Sequence, residues 1–162
     1  MNGAGELPAF TNRAGLLVDA NLLVLLIVAS VNPNRIALFK RTSQYSKADF
    51  QRLIQLMEGF TPLYTLAHIM AEVSNLTGLT GGERIVALHK LKALLEQLEE
   101  PWLSSRRAAE CGAFQMLGLT DAAIVTAARH YNCTVLTSDF DLYYVLSREG
   151  LSVLNFAHFQ SL

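Results

Sequence analysis

Two kinds of apolar run alternate along this chain. Leu16-Leu17-Val18 and Thr134-Val135-Leu136-Thr137 are short, lack helical periodicity and are rich in branched residues, so they read as buried strands. Leu22 to Val31 is a strongly apolar helix, closed by Asn32-Pro33-Asn34. Residues 35–45 fit neither period. Ser46 has Asp49 three residues on, close to a capping box. A helix is therefore expected from Lys47 to about Glu58, with Phe50, Leu53, Ile54 and Met57 on one face and Gly59 at its end. Pro62 to Thr65 is a second strand candidate, followed by a helix from Ala67 to Leu76 that Gly78 stops. Ile85, Leu88, Leu91, Leu95 and Leu98 form the stripe of an amphipathic helix over Gly82 to Glu99. Further helices are expected from Ser105 to Met116 and from Asp121 to about Tyr131, the second capped by Thr120. The strand Thr134 to Thr137 follows, then a helix from Leu142 to Arg148 ended by Gly150, and a last strand from Leu151 to Phe156.

Strands alternating with helices in this order predict an α/β domain, a three-layer sandwich with a mainly parallel central sheet. The length of 162 residues suits one domain with a full core. Residues 1–14 carry Gly3, Gly5, Pro8, Asn12 and Arg13 with little periodicity and read as a tail or lead-in; residues 15–162 form the domain. The longest apolar run is far short of the ~20 residues that span a bilayer. No basic, apolar leader opens the chain, so a cytoplasmic protein with no membrane partner is expected. Cys111 and Cys133 fit neither a C-x-x-C pair nor a zinc spacing and read as free core thiols.

The polar positions that break this pattern are acids at element ends. They lie in Leu17-Val18-Asp19-Ala20-Asn21, Ala71-Glu72-Val73, Leu119-Thr120-Asp121-Ala122-Ala123-Ile124 and Leu136-Thr137-Ser138-Asp139-Phe140-Asp141. Taken singly each has a structural explanation: a helix N-terminal charge for Asp121, a turn for Asp139 and Asp141 with Asp141 or Ser138 capping the next helix, a solvated helix position for Glu72. In an open parallel sheet, however, sites lie outside the carboxyl ends of the strands, and these acids converge there. Two carboxylates about 4 Å apart repel by roughly 4 kcal/mol at an effective dielectric near 20. A divalent cation relieves that repulsion, and Mg²⁺ and Mn²⁺ prefer such oxygen ligands.

The net charge of −1 gives no sign of a nucleic-acid partner. With Asp19, Glu72, Asp121, Asp139 and Asp141 set aside, however, thirteen basic residues face nine acidic ones. Between Ala20 and Ala48 there is no acid, whereas Arg35, Lys40, Arg41 and Lys47 are basic, with Phe39 and Tyr45 among them. That stretch is either a solvated loop or dimer arm, or a grip on an RNA backbone. His68, four residues before Glu72, reads as a packing residue rather than a ligand.

The order D-x-N, E, T-D-A-A-I and T-S-D-F-D resembles the PIN domain (PilT N-terminus), a family of small metal-dependent nucleases that includes toxins of toxin–antitoxin pairs. The resemblance covers about residues 16–156. It implies that Asp19, Glu72, Asp121 and Asp139 are catalytic and hold Mg²⁺ or Mn²⁺, with Glu72 binding directly or through water. It places Asn21, Thr137 and Asp141 as polar neighbours of the site. Hydrolysis of RNA phosphodiesters by metal-bound water is the expected reaction, with an antitoxin protein and a second copy of the chain as further candidate partners. Two rival classes stay open: a catalytically silent PIN-like module that binds RNA or protein, and a metal-dependent DNA nuclease or phosphatase. Ala20 departs from the Thr or Ser that often follows the first acid in the family, and the segment from about Val31 to Phe60 is longer than in its compact toxins.

Overall fold

The computed structural model describes residues 14–75 and 78–160. The expected lead-in, apart from Ala14, and the expected helix end at Leu76 lie outside the described residues. In chain order the elements are β1 (Leu16–Val18), α1 (Ala20–Val31), a 3-10 turn (Pro33–Arg35), α2 (Lys47–Glu58), β2 (Leu63–Tyr64), α3 (Ala67–Ser74) and α4 (Gly81–Leu95). Then come α5 (Ser105–Ala109), α6 (Phe114–Leu117), α7 (Leu119–Tyr131), β3 (Thr134–Thr137), α8 (Phe140–Arg148), β4 (Val153–Asn155) and α9 (Ala157–Gln160). The strands form one parallel sheet in the order β2-β1-β3-β4, flanked by helices, which is the α/β architecture read from the alternation.

Burial explains the composition of the strands. β1 and β3 are the central pair, and every residue in them is buried, so neither shows an alternating pattern. The outer strands β2 and β4 are half-buried. β1 pairs with β3 in the register Val18 opposite Leu136, which brings the next residues, Asp19 and Thr137, together at one edge. From β1 the chain goes first to β2 on one side, then to β3 on the other. The strand order therefore reverses between β1 and β3, the topological switch point where α/β sheets open a crevice.

α1 is apolar nearly all round because it is enclosed, packing against α2, α3 and α4. α2 keeps the capping box read from sequence: Ser46 Oγ accepts the Asp49 N–H at 3.1 Å, and Asp49 Oδ2 accepts the Ser46 N–H at 2.7 Å.

Three local expectations are corrected. On α4, Ala87 and Leu91 are buried, whereas Ile85, Leu88 and Leu95 are 58%, 42% and 37% exposed. The helix carries two overlapping apolar stripes, and the one with Ala87 and Leu91 is buried as α4 packs against α1. The helix expected from Ser105 to Met116 is broken into α5 and α6 by a turn at Glu110–Ala113 that contains Gly112. α7 begins at Leu119, so Thr120 lies inside it; Gly118, at φ +82°, takes the cap position and no side chain caps the helix. Among the described residues, no helix is long and apolar enough to cross a membrane.

Candidate functional site

Asp19 leaves β1 and caps α1. Its Oδ1 accepts the Leu22 N–H at 3.0 Å; its Oδ2 accepts the Thr137 hydroxyl and the Ser138 N–H, the latter at 3.1 Å. The carboxyl is 4% exposed. Burial raises its pKa above the usual carboxylate range, the three hydrogen bonds oppose that rise, and the Asp139 charge adds to it.

Asp139 leaves β3 and caps α8, with Oδ1 accepting the Leu142 N–H at 2.8 Å. The expectation that Ser138 or Asp141 would cap this helix is thereby corrected: the residue at the strand-to-helix corner has the extended backbone an N-cap needs. Asp139 also donates its N–H to Thr137 Oγ1 at 2.9 Å. One threonine hydroxyl thus links the two acids at the switch point.

Asp121 comes from the first turn of α7 and Glu72 from α3. With Asp19, Asp139 and Asn21 they line one cavity of about 290 Å³, to which Leu117 and Leu119 add apolar walls. Their proximity has an electrostatic signature. The Asp121 carboxyl is pushed up to about 7, first by burial and then by the charges of Asp139, Asp19 and Glu72. A larger cavity, about 590 Å³, lies at the other end of α7 against Trp102, Arg129 and Tyr131. Its Arg107 and Arg129 are paired with Glu110 and Glu149, and it lacks an acid cluster. The acids gather in the smaller cavity.

The donor set suits a hard cation: four carboxylates in a small cavity, one of them pushed toward neutrality by burial and then by the others. Even so, among the described residues no three His, Cys, Asp or Glu side chains are poised as a ready ligand group. Three of the four acids already have partners. Asp19 has three donors on its two oxygens, Asp139 Oδ1 is a helix cap, and Glu72 Oε1 faces Arg41 Nη2 at 3.5 Å.

The remaining sequence candidates divide. Thr137 touches Asp19, and Asn21 Oδ1 accepts Arg41 Nη2 at 3.2 Å, so both belong to the site. Asp141 is exposed in the first turn of α8 and does not line the cavity. In the basic arm, Arg35 is bidentate with Glu83, and Lys47 donates to Asn34 Oδ1 at 2.7 Å. Lys40 is exposed, and Arg41 turns toward the acids. His68 Nε2 lies 3.0 Å from Ser105 Oγ and takes no part in the cavity. Sequence reasoning named Tyr45 only as an aromatic of the basic arm and missed its contact: its hydroxyl donates to Ser138 Oγ at 2.8 Å and pins the arm beside the site. No local signal marks a contact spanning 93 residues.

No curated protein sequence matches the chain. The PIN domain model matches residues 16–146, from the first strand through most of α8 and across all four acids. PIN domains are generally nucleases, acting on nucleic acid and generally with divalent metal ions. With its parallel sheet, its switch-point acids and this match over most of its length, the chain belongs to the PIN-domain family.

Proposed function

We propose that this protein is a divalent-metal-dependent endoribonuclease, with Mg²⁺ or Mn²⁺ held by Asp19, Asp121 and Asp139 and by Glu72 directly or through water. The observation that carries the reading is the shared cavity, in which burial and then the charges of three neighbouring carboxylates push the Asp121 carboxyl up to about 7. Bound ions supply charge neutralisation at the phosphate and activation of water for in-line displacement. The chain's own residues do the positioning. Thr137 and the Ser138 N–H hold the Asp19 carboxylate in one orientation, and the Leu142 N–H restrains Asp139. A carboxylate held this way keeps its place while charge develops nearby, which is what preorganisation requires.

The test is cleavage of an end-labelled single-stranded RNA, with the same sequence as DNA run beside it. RNA cleavage that needs Mn²⁺ or Mg²⁺, stops with EDTA and is lost in Asp121→Asn and Asp139→Asn is the expected result. Cleavage persisting in both variants points to a contaminating nuclease, and preferential cleavage of the DNA reassigns the substrate. Binding of RNA without cleavage under any divalent ion indicates a silent module. The toxin role, an antitoxin partner and a homodimer remain expectations of the family resemblance. Growth arrest on expression, relieved by a co-expressed neighbouring gene product, reads the first two, and sedimentation of the purified protein reads the third.

A further inference from the structure

We propose that Arg41 is the substrate-positioning cation of this site: it rests on Glu72 and Asn21 in the free protein and grips a phosphate of the bound strand. This rests on the reading of the acidic cavity as an ion-dependent phosphodiesterase site.

Of the basic residues between Ala20 and Ala48, Arg41 is the one aimed at the acids. Its Nη2 lies 3.2 Å from Asn21 Oδ1 and 3.5 Å from Glu72 Oε1, and both of those residues line the cavity. It is also held in place. The arm that carries it is anchored on one side by buried Ile36, Phe39 and Thr42, whose hydroxyl donates to the Ile36 carbonyl at 2.8 Å. On the other side Tyr45 is buried, packs edge-on against Phe156 and donates to Ser138 Oγ. The Arg41 side chain is only 28% exposed. A flexible surface arginine would not be so covered.

Arg41 is nonetheless under-used. Arg35 shows what a committed pair looks like here, with Nε at 3.0 and 2.8 Å from the two Glu83 oxygens and Nη2 at 2.6 Å. Arg41 meets Glu72 through one nitrogen at a longer distance. A guanidinium has five N–H donors in a fork that matches two phosphate oxygens. Among the described residues, one longer ion-pair contact and one amide oxygen, both on Nη2, leave most of that fork free. The charge also has a definite sign of effect. Beside four carboxylates, a fixed positive charge opposes the entry of a divalent cation and favours the entry of an anion. Arg41 should therefore weaken ion binding while strengthening nucleic-acid binding, and a residue that merely packs would move both in one direction.

The experiment uses the full chain and three variants: Arg41→Gln, Arg41→Lys and Asp121→Asn. Mn²⁺ affinity is measured by calorimetry, and binding of a fluorescein-labelled single-stranded RNA by anisotropy in Ca²⁺ with intactness checked on a gel. In Arg41→Gln, Mn²⁺ should bind about fivefold tighter, the order expected when one unit charge is removed near a divalent ion in a water-like dielectric. RNA should bind roughly tenfold weaker, as for the loss of a charge-assisted hydrogen-bonded contact. The slope of log affinity against log salt should shrink by about 0.7. Arg41→Lys keeps the charge and loses the fork, so it should retain wild-type Mn²⁺ affinity and lose part of the RNA affinity. It also guards against a Gln variant that folds poorly. Wild-type values for both ligands in Arg41→Gln, or a parallel loss of both in the two Arg41 variants, would overturn the proposal. If wild-type protein takes up no Mn²⁺ in a manner abolished by Asp121→Asn, the ion-site reading falls and the proposal with it. Uptake that Asp121→Asn abolishes, with Arg41→Gln unchanged, retires Arg41 alone.

Discussion

Thr137 donates its hydroxyl to Asp19 across 118 residues of chain, joining the ends of the two central strands. The same oxygen accepts the Asp139 N–H, so the threonine is wired to both switch-point acids. The pairing of β1 with β3 sets up this contact, because Val18 opposite Leu136 leaves Asp19 and Thr137 as adjacent ends. The site is thus built from sheet register before any loop contributes.

Thr137→Val keeps the shape of that side chain and removes its hydrogen bonds. The residue is fully buried, so Asp19 loses a donor inside the core and the part-buried Asp139 N–H loses its acceptor. A loss of about 1–3 kcal/mol is expected. Urea denaturation should show a lower midpoint at unchanged slope, and Thr137→Ser should restore most of it. An unaltered midpoint in the valine variant would mean that the contact contributes nothing net.

A divalent ion should stabilise the fold. At ten times its dissociation constant an ion adds about 1.4 kcal/mol, a rise in melting temperature of roughly 3–6 °C for a domain of this size. Asp121→Asn should reduce that rise and lift the ion-free melting temperature, since it removes a charge that three acids oppose. Asp19→Asn should lower the ion-free value instead, because its two oxygens accept three donors and an amide can match only one side. Identical melting curves in EDTA and Mn²⁺ would count against an ion site.

In ion-free protein the Asp121 pKa of about 7 makes stability pH-dependent, with a definite sign. The folded chain keeps a proton that the unfolded chain releases near 3.8. Between those values the native state binds more protons, so this group's contribution falls as pH rises and levels off above about 7. Asp19, also raised, acts in the same direction. In EDTA the melting temperature of Asp121→Asn minus that of wild type should grow between pH 5 and pH 8. A difference that stays constant would show that Asp121 ionises normally.

Both cysteines are buried, and burial pushes the Cys133 thiol up to about 11. The nucleophile in thiol reactions is the thiolate, so folded protein should resist a disulfide reagent at pH 8 and react rapidly once unfolded in urea. Stoichiometric modification of the native protein within minutes would contradict this packing.

What could be read along the chain is what neighbouring residues settle among themselves. The Ser46–Asp49 capping box, the strand Thr134–Thr137 and the alternation that makes the class α/β involve partners within a few positions, or a period visible in one segment. The four acids could be picked out because each breaks an apolar pattern at an element end, and the sheet then gathers those ends into one cavity. The tertiary structure decided which partner each residue meets. It chose Asp139 over Asp141 as the cap, buried Ala87 rather than Ile85 and Leu88 on α4, and split the acid-free arm into a paired Arg35 and an Arg41 turned toward Glu72. Those outcomes depend on the surface that arrives from elsewhere in the chain. Ser138 became a foothold for Tyr45 only because two segments 93 residues apart were packed side by side, and no local preference encodes that encounter.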